Sequence, residues 1–115
     1  MSETQDEKVV DNTEKDQTLL LVTGSKGKDS DREYVKKLSN AILQVYQKHN
    51  IVRLRCVGAA SLNNAEKAYI IARVEAEKKG LELVCKSHFV TVSFDGVEKT
   101  GILKEIIAMS SGGTA

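Results

Sequence analysis

Between residues 18 and 109 short apolar runs alternate with longer stretches of helical period. Thr18-Leu19-Leu20-Leu21-Val22-Thr23, closed by Gly24, has the continuous apolar character of a strand buried on both faces. After the loop Gly24-Ser25-Lys26-Gly27-Lys28-Asp29, Ser30 and Glu33 have the spacing of a capping box, which predicts a helix over 30–49. Its apolar stripe is Tyr34, Val35, Leu38, Ala41, Ile42, Val45 and Tyr46. Residues 51–57 then alternate Val52, Leu54 and Cys56 against Arg53 and Arg55, the period of a strand with one face on a core. A second helix is predicted from Ser61 to Gly80, its inner face marked by Leu62, Ala65, Ala68, Tyr69, Ala72 and Ala76. Ile70, Ile71 and Val74 form a second apolar edge on that helix, which the first helix or another subunit must cover, and homodimerisation through it is expected.

The remaining chain predicts a long or bulged strand over 81–94, an Asp95-Gly96 hairpin turn and a returning strand over 100–108. The element order β-α-β-α-β-β predicts an α/β two-layer sandwich, a mixed four-stranded sheet with two helices on one face. Its first three strands run parallel and the last antiparallel. Residues 1–17 show neither period and are polar almost throughout, which predicts a disordered acidic tail, either a solvated leader or a competitor for a basic surface. Residues 110–115 are small and predict a flexible C-terminal tail, leaving 18–109 as the domain.

Composition narrows the class. The 115 residues are 41% hydrophobic and 29% charged, the balance of an ordinary folded domain rather than a collagenous, disordered or coiled-coil chain. No apolar run approaches the roughly 20 residues that span a bilayer, and the N-terminus lacks a secretory profile, so a cytoplasmic protein without membrane contact is expected, free or associated with the nucleoid or nucleus. Cys56 and Cys85 are expected to be reduced, half-buried strand residues. The net charge of +1 conceals an asymmetry: residues 1–17 hold six acids against two lysines, leaving 15 Lys and Arg against 10 Asp and Glu beyond them. That moderately basic body permits phosphate contact without demanding it.

Candidate chemistry is sparse. Gly24 and Gly27 are too close for a P-loop, and Asp29 stands where such a loop needs Ser or Thr, so the segment is either a plain connector or a phosphate contact by Lys26 and Lys28. His49 and His88 join no ligand set; a surface or capping role is expected, with no metal and no cofactor. No serine lies in a nucleophile-elbow sequence, and no enzyme is expected. Arg53 and Arg55 share one strand face, which reads as an exposed sheet face or as a fork for phosphates or carboxylates.

The string Val57-Gly58-Ala59-Ala60-Ser61-Leu62-Asn63-Asn64-Ala65-Glu66-Lys67-Ala68-Tyr69-Ile70-Ile71-Ala72-Arg73 resembles the signature stretch of the stage V sporulation protein S family, within the Alba-like group. Leu81-Glu82-Leu83-Val84-Cys85-Lys86-Ser87-His88-Phe89-Val90 resembles the strand after that signature, and Val22-Thr23-Gly24-Ser25-Lys26 the family's first strand and loop. The resemblance implies the same β-α-β-α-β-β fold and a dimer that binds DNA or RNA. It implies contacts from Ser25, Lys26 and Lys28 in the first loop, Asn63, Asn64 and Lys67 around the second helix, and Lys99 near the hairpin. Where archaeal Alba carries an arginine-rich step, Ala59 and Ala60 follow Gly58 here, and the two-residue turn is expected to give no groove-reaching arm. The expected function is therefore a small non-enzymatic nucleic-acid-binding protein, with a regulatory role implied. The alternative is a dimeric protein-interaction scaffold that binds no nucleic acid.

Overall fold

A computed structural model describes residues 16–24 and 28–109, with residues 28–30 described by their backbone alone. The elements are β1 (Leu19–Val22), α1 (Lys28–His49), β2 (Val52–Cys56), α2 (Ala59–Glu77), β3 (Glu82–Phe94) and β4 (Val97–Met109). The sheet order is β1-β2-β4-β3. β1 pairs with β2 in parallel, and β4 lies antiparallel to both β2 and β3. The first three strands therefore share one direction and the fourth opposes them, as the element order requires, in a two-layer α/β sandwich. The β2-α2-β3 crossover skips one position, and β4 fills it.

Several boundaries differ from those expected. α1 opens at Lys28, so Ser30 sits within its first turn instead of preceding it, and the proposed capping side chain lies outside the described residues. It stops at Asn50, whose φ of 62° is left-handed and whose N–H donates to the Tyr46 carbonyl at 2.8 Å. α2 starts at Ala59, two residues early, and ends at Glu77. β1 is not buried on both faces, because the helices cover only one side of the sheet: Val22 faces the core while Leu21 stays 47% exposed on the open side.

β3 carries no bulge. Its register with β4 runs unbroken from Glu82↔Met109 to Phe94↔Val97. Asp95 and Gly96, at φ 50° and 79°, both take the positive dihedrals of a type I′ turn, whose twist suits the flanking strands. Because β2 ends opposite Ile102, the pairs from Val90↔Gly101 to Phe94↔Val97 extend beyond it as a two-stranded arm of roughly 15 Å at about 3.4 Å per residue. The short turn therefore does not preclude an arm; strand length makes one. Gly101 stands at its root, where an added Cβ would lie 2.7 Å from the Cys56 carbonyl oxygen, so only glycine lets β4 pass the end of β2.

The core lies between sheet and helices. Val35, Leu38 and Ile42 of α1 meet Val52, Leu54 and Cys56 of β2, while Ala65, Ala68, Ala72 and Ala76 lower α2 onto β4 and β3 beside Leu83 and Ile106. Full burial of Ile42, Leu54, Leu83 or Ile106 is worth about 1.5–3 kcal/mol each. Alanines along α2 contribute little area themselves, but they let its backbone approach closely enough for those larger residues to be sealed.

Candidate functional site

α1 and α2 leave between them an open groove of about 640 Å³. Steps of three and four residues along a helix place side chains on one flank. On α2 those steps bring Asn63, Lys67, Ile70 and Ile71 to the groove; on α1 they bring Asp31, Arg32, Val35 and Lys36. Three cations thus face one acid over a floor of Val35, Ile70 and Ile71. Among the described residues no carboxylate is within ion-pair distance of Arg32, Lys36 or Lys67. Asp31 is already engaged.

Asn64 belongs to the same groove but does a different job. Only 4% exposed, it donates from Nδ2 to the Thr23 carbonyl at 3.2 Å, tying the first turns of α2 to the end of β1. Thr23 N–H donates in turn to the Tyr34 hydroxyl at 2.9 Å, which ties that point to α1. A Cβ at Gly24 would sit 3.4 Å from the Ala60 Cβ, so the loop leaves β1 against the start of α2. Inside α2, the Ser61 hydroxyl donates to the carbonyls of Val57 and Gly58, at 2.8 and 3.0 Å.

The structure therefore brings Asn63, Asn64 and Lys67 together. Ser25 and Lys26 lie outside the described residues, and Lys28 is described only as the first residue of α1. Lys99 is separate, on the arm, with its ammonium 6.0 Å from the centre of the Phe94 ring. Ile70 and Ile71 line the groove yet remain 45% and 39% exposed, and Val74 is 47% exposed, so α1 covers this edge only in part. Sequence reading missed Arg32 and Lys36. Both fall on the face opposite the apolar stripe of α1, where nothing in a single helix tells which solvent-facing cations will have a second helix beside them.

A second polar cluster was also missed. Lys104 of β4 points toward α2, 8% exposed, with Nζ 3.0 Å from Glu66 Oε1 and donating to Ser87 Oγ at 3.3 Å. Burial alone disfavours the ammonium, but the hydrogen bond to Glu66 and the charge of that carboxylate outweigh it and raise its pKa above the ordinary value. Burial likewise pushes the Cys56 thiol up to about 11 and raises Cys85, against the pull of Lys104, so both free thiols stay protonated. Cys85 is half-buried as expected, whereas Cys56 is fully buried at 2% exposure. The signal in sequence was period two: Ile102, Lys104, Ile106 and Ala108 share the helix-facing side.

Arg53 and Arg55 lie on the open sheet face, half-buried. Arg53 is committed to Asp16 at 3.3 Å and to the Thr18 hydroxyl at 2.8 Å. His88 approaches Glu105 at 3.9 Å across the strands. Among the described residues there is no cluster of three or more metal-ligating side chains and no helix long and apolar enough to cross a membrane.

Fold and groove together define a small two-layer α/β domain whose polar face gathers at the N-termini of its helices. The family model of Stage V sporulation protein S (SpoVS) matches residues 28–109, and the chain belongs to that family. The match covers both helices and three strands; β1, which precedes it, completes the sheet.

Proposed function

We propose that this chain is a non-enzymatic nucleic-acid-binding domain that holds the phosphates of DNA or RNA in the groove between α1 and α2. One observation carries the reading: Arg32, Lys36 and Lys67, from two helices, line one open groove with the Asn63 amide and share it with a single acid. Cations left without carboxylate partners are available to displace counterions from a polyanion. Ser25 and Lys26, which follow Gly24, and Lys28, which opens α1, are proposed to add to this contact, and Lys99 on the arm to extend it along a longer ligand. The Alba-like resemblance supports the same surface. Fluorescence-anisotropy titration with labelled duplex and single-stranded DNA and RNA tests it. Affinity falls steeply with salt, and Lys36→Ala or Lys67→Ala weakens binding to all sequences alike, lowering the salt slope by about one each. Salt-insensitive binding, or none at low ionic strength, rejects the reading.

The second reading is a dimeric protein-interaction scaffold, favoured by the exposed edge of Ile70, Ile71 and Val74. A homodimer through this edge is compatible with either function. Light scattering on the wild type and on Val74→Glu separates them: a Val74→Glu monomer that retains polyanion binding leaves the groove as the site, whereas a dimer without polyanion binding supports the scaffold.

A further inference from the structure

We propose that an apolar cavity at the root of the arm, walled by Phe89, Ile102 and Leu62, takes one unstacked base of a single-stranded nucleic acid. The inference rests on the proposed function and deepens it, because it names the form of nucleic acid that the groove receives. Steps of two along β3 put Phe89 on the helix-facing side with Leu83, Cys85 and Ser87. Leu83 is buried there, whereas Phe89 is 76% exposed. Gly58 and Ala59, which line the cavity from the start of α2, carry no side chain long enough to cover the ring. A space of about 200 Å³ remains between them. At about 30 Å³ per water that is the room of six or seven waters, enough for one heterocyclic base and too little for a base pair.

Chemistry selects the occupant. Every lining residue is uncharged, so no carboxylate stands in the cavity to repel a flanking phosphate, and α2 begins with no acid in its first turn. The Thr100 hydroxyl, also in the lining, makes no hydrogen bond among the described residues. An aliphatic side chain from a protein partner would leave that hydroxyl unpaired. A base offers it donors and acceptors along one edge and offers the Phe89 ring a π-face. Position points the same way. Leu62 in the cavity and Asn63 in the groove are consecutive, so the two sites flank the first turns of one helix, whose width is about 10–12 Å. Phosphates held by Lys36 and Lys67 therefore leave a neighbouring base within reach of the cavity. A duplex cannot use it, because its bases bury both faces against their neighbours in the stack, whereas a single strand presents them.

Fluorescence anisotropy on the full chain tests this with short labelled abasic sugar-phosphate strands that carry either no base or one central adenine, in deoxyribose and ribose forms. In the wild type the single base raises affinity by about fivefold to over a hundredfold, the range of base–aromatic stacking, and the sugar that shows the larger gain separates DNA from RNA. Phe89→Trp keeps the gain and Phe89→Ala abolishes it, while both bind the base-free strand as the wild type does. Phe89→Leu, which keeps the apolar volume without the π-face, repeats the loss if the alanine variant unfolds by circular dichroism. A wild type that binds both strands equally overturns the inference, as does a base-dependent gain that survives in Phe89→Ala. Dissociation of a dimer by Phe89→Ala in light scattering, with the gain intact, also overturns it, because a second copy is then the occupant. The two readings fail separately. Binding of the base-free strand that Lys36→Ala and Lys67→Ala weaken, without any gain from the base, keeps the groove and removes the cavity. A gain from the base that those two variants leave untouched, on strands bound without salt dependence, does the reverse, and a chain that binds neither strand at low salt rejects both.

Discussion

Glu66→Ala and Lys104→Met, singly and together, give a sharp test of how the α2–sheet interface is held. At 3.0 Å in surroundings of effective dielectric near 20 the pair attracts by about 5 kcal/mol, but the Glu66 side chain is 50% exposed and its share is largely screened by water, whereas the Lys104 side chain is only 10% exposed. The asymmetry decides the outcome. Removing the acid strands a buried ammonium with only the Ser87 hydroxyl to receive it, which costs about 1–3 kcal/mol. Replacing the lysine by methionine removes the desolvation cost along with the pair and fills the same space beside Cys85, for a net change of about 1 kcal/mol or less in either direction. In the double variant the penalty of Glu66→Ala disappears, because no charge remains to be left alone. Urea titration by far-UV circular dichroism reads these differences, and in a domain of this size each kcal/mol moves the thermal midpoint by about 4–8 °C. Equal losses for the two single variants, adding up in the double, refute the picture of one buried cation dependent on one half-exposed acid.

Other expectations follow from single contacts. Gly101→Ala loses about 1–3 kcal/mol in urea denaturation without changing the slope, because the new methyl meets the Cys56 carbonyl at 2.7 Å and β4 must shift; an unchanged midpoint rejects that close approach. The Cys56 thiol, raised from 9.0 to about 11, favours the folded state while protonated. Its contribution is complete below pH 9 and is lost between pH 9 and 11, about 2–3 kcal/mol in all, so the stability drop over that window is smaller in Cys56→Val than in the wild type. Asn64→Ala frees the Thr23 carbonyl at the root of the first loop and costs about 1–2 kcal/mol. Hydrogen exchange at residues 22–24 then rises, and exchange rates equal to wild type there contradict the clamp.

The fold was legible because its signals were local. The stripe of Val35, Leu38 and Ile42, the alternation of Val52, Leu54 and Cys56, and Asp95-Gly96 each report on neighbours a few residues away, and all three came out where the pattern put them. What the pattern does not contain is which strands lie side by side. The edge position of β1 follows from a sheet order that no hydrophobic period encodes. The candidate groove divides the same way. Asn63, Asn64 and Lys67 were marked by a motif in one continuous stretch, whereas Arg32 and Lys36 join them only because two helices distant in sequence pack together. Lys104 was overlooked for another reason: period two puts it on the inner side with Ile102 and Ile106, but a charge there is explained only by its pairing with Glu66 of a distant helix.

The placement of β4 between β2 and β3 bears on how the protein is born. As the chain leaves the ribosome, β1, α1 and β2 can associate early, but β3 has no neighbour to pair with until residues 97–109 clear the exit tunnel. Two hydrogen-bonding edges, of β2 and of β3, wait on the same late arrival. Until then the nascent chain holds an unfinished sheet with open edges, the kind that recruits strands from other polypeptides. Native assembly is thus a race between the last strand and any passing stranger, and slow synthesis of the final segment is expected to increase the aggregated fraction.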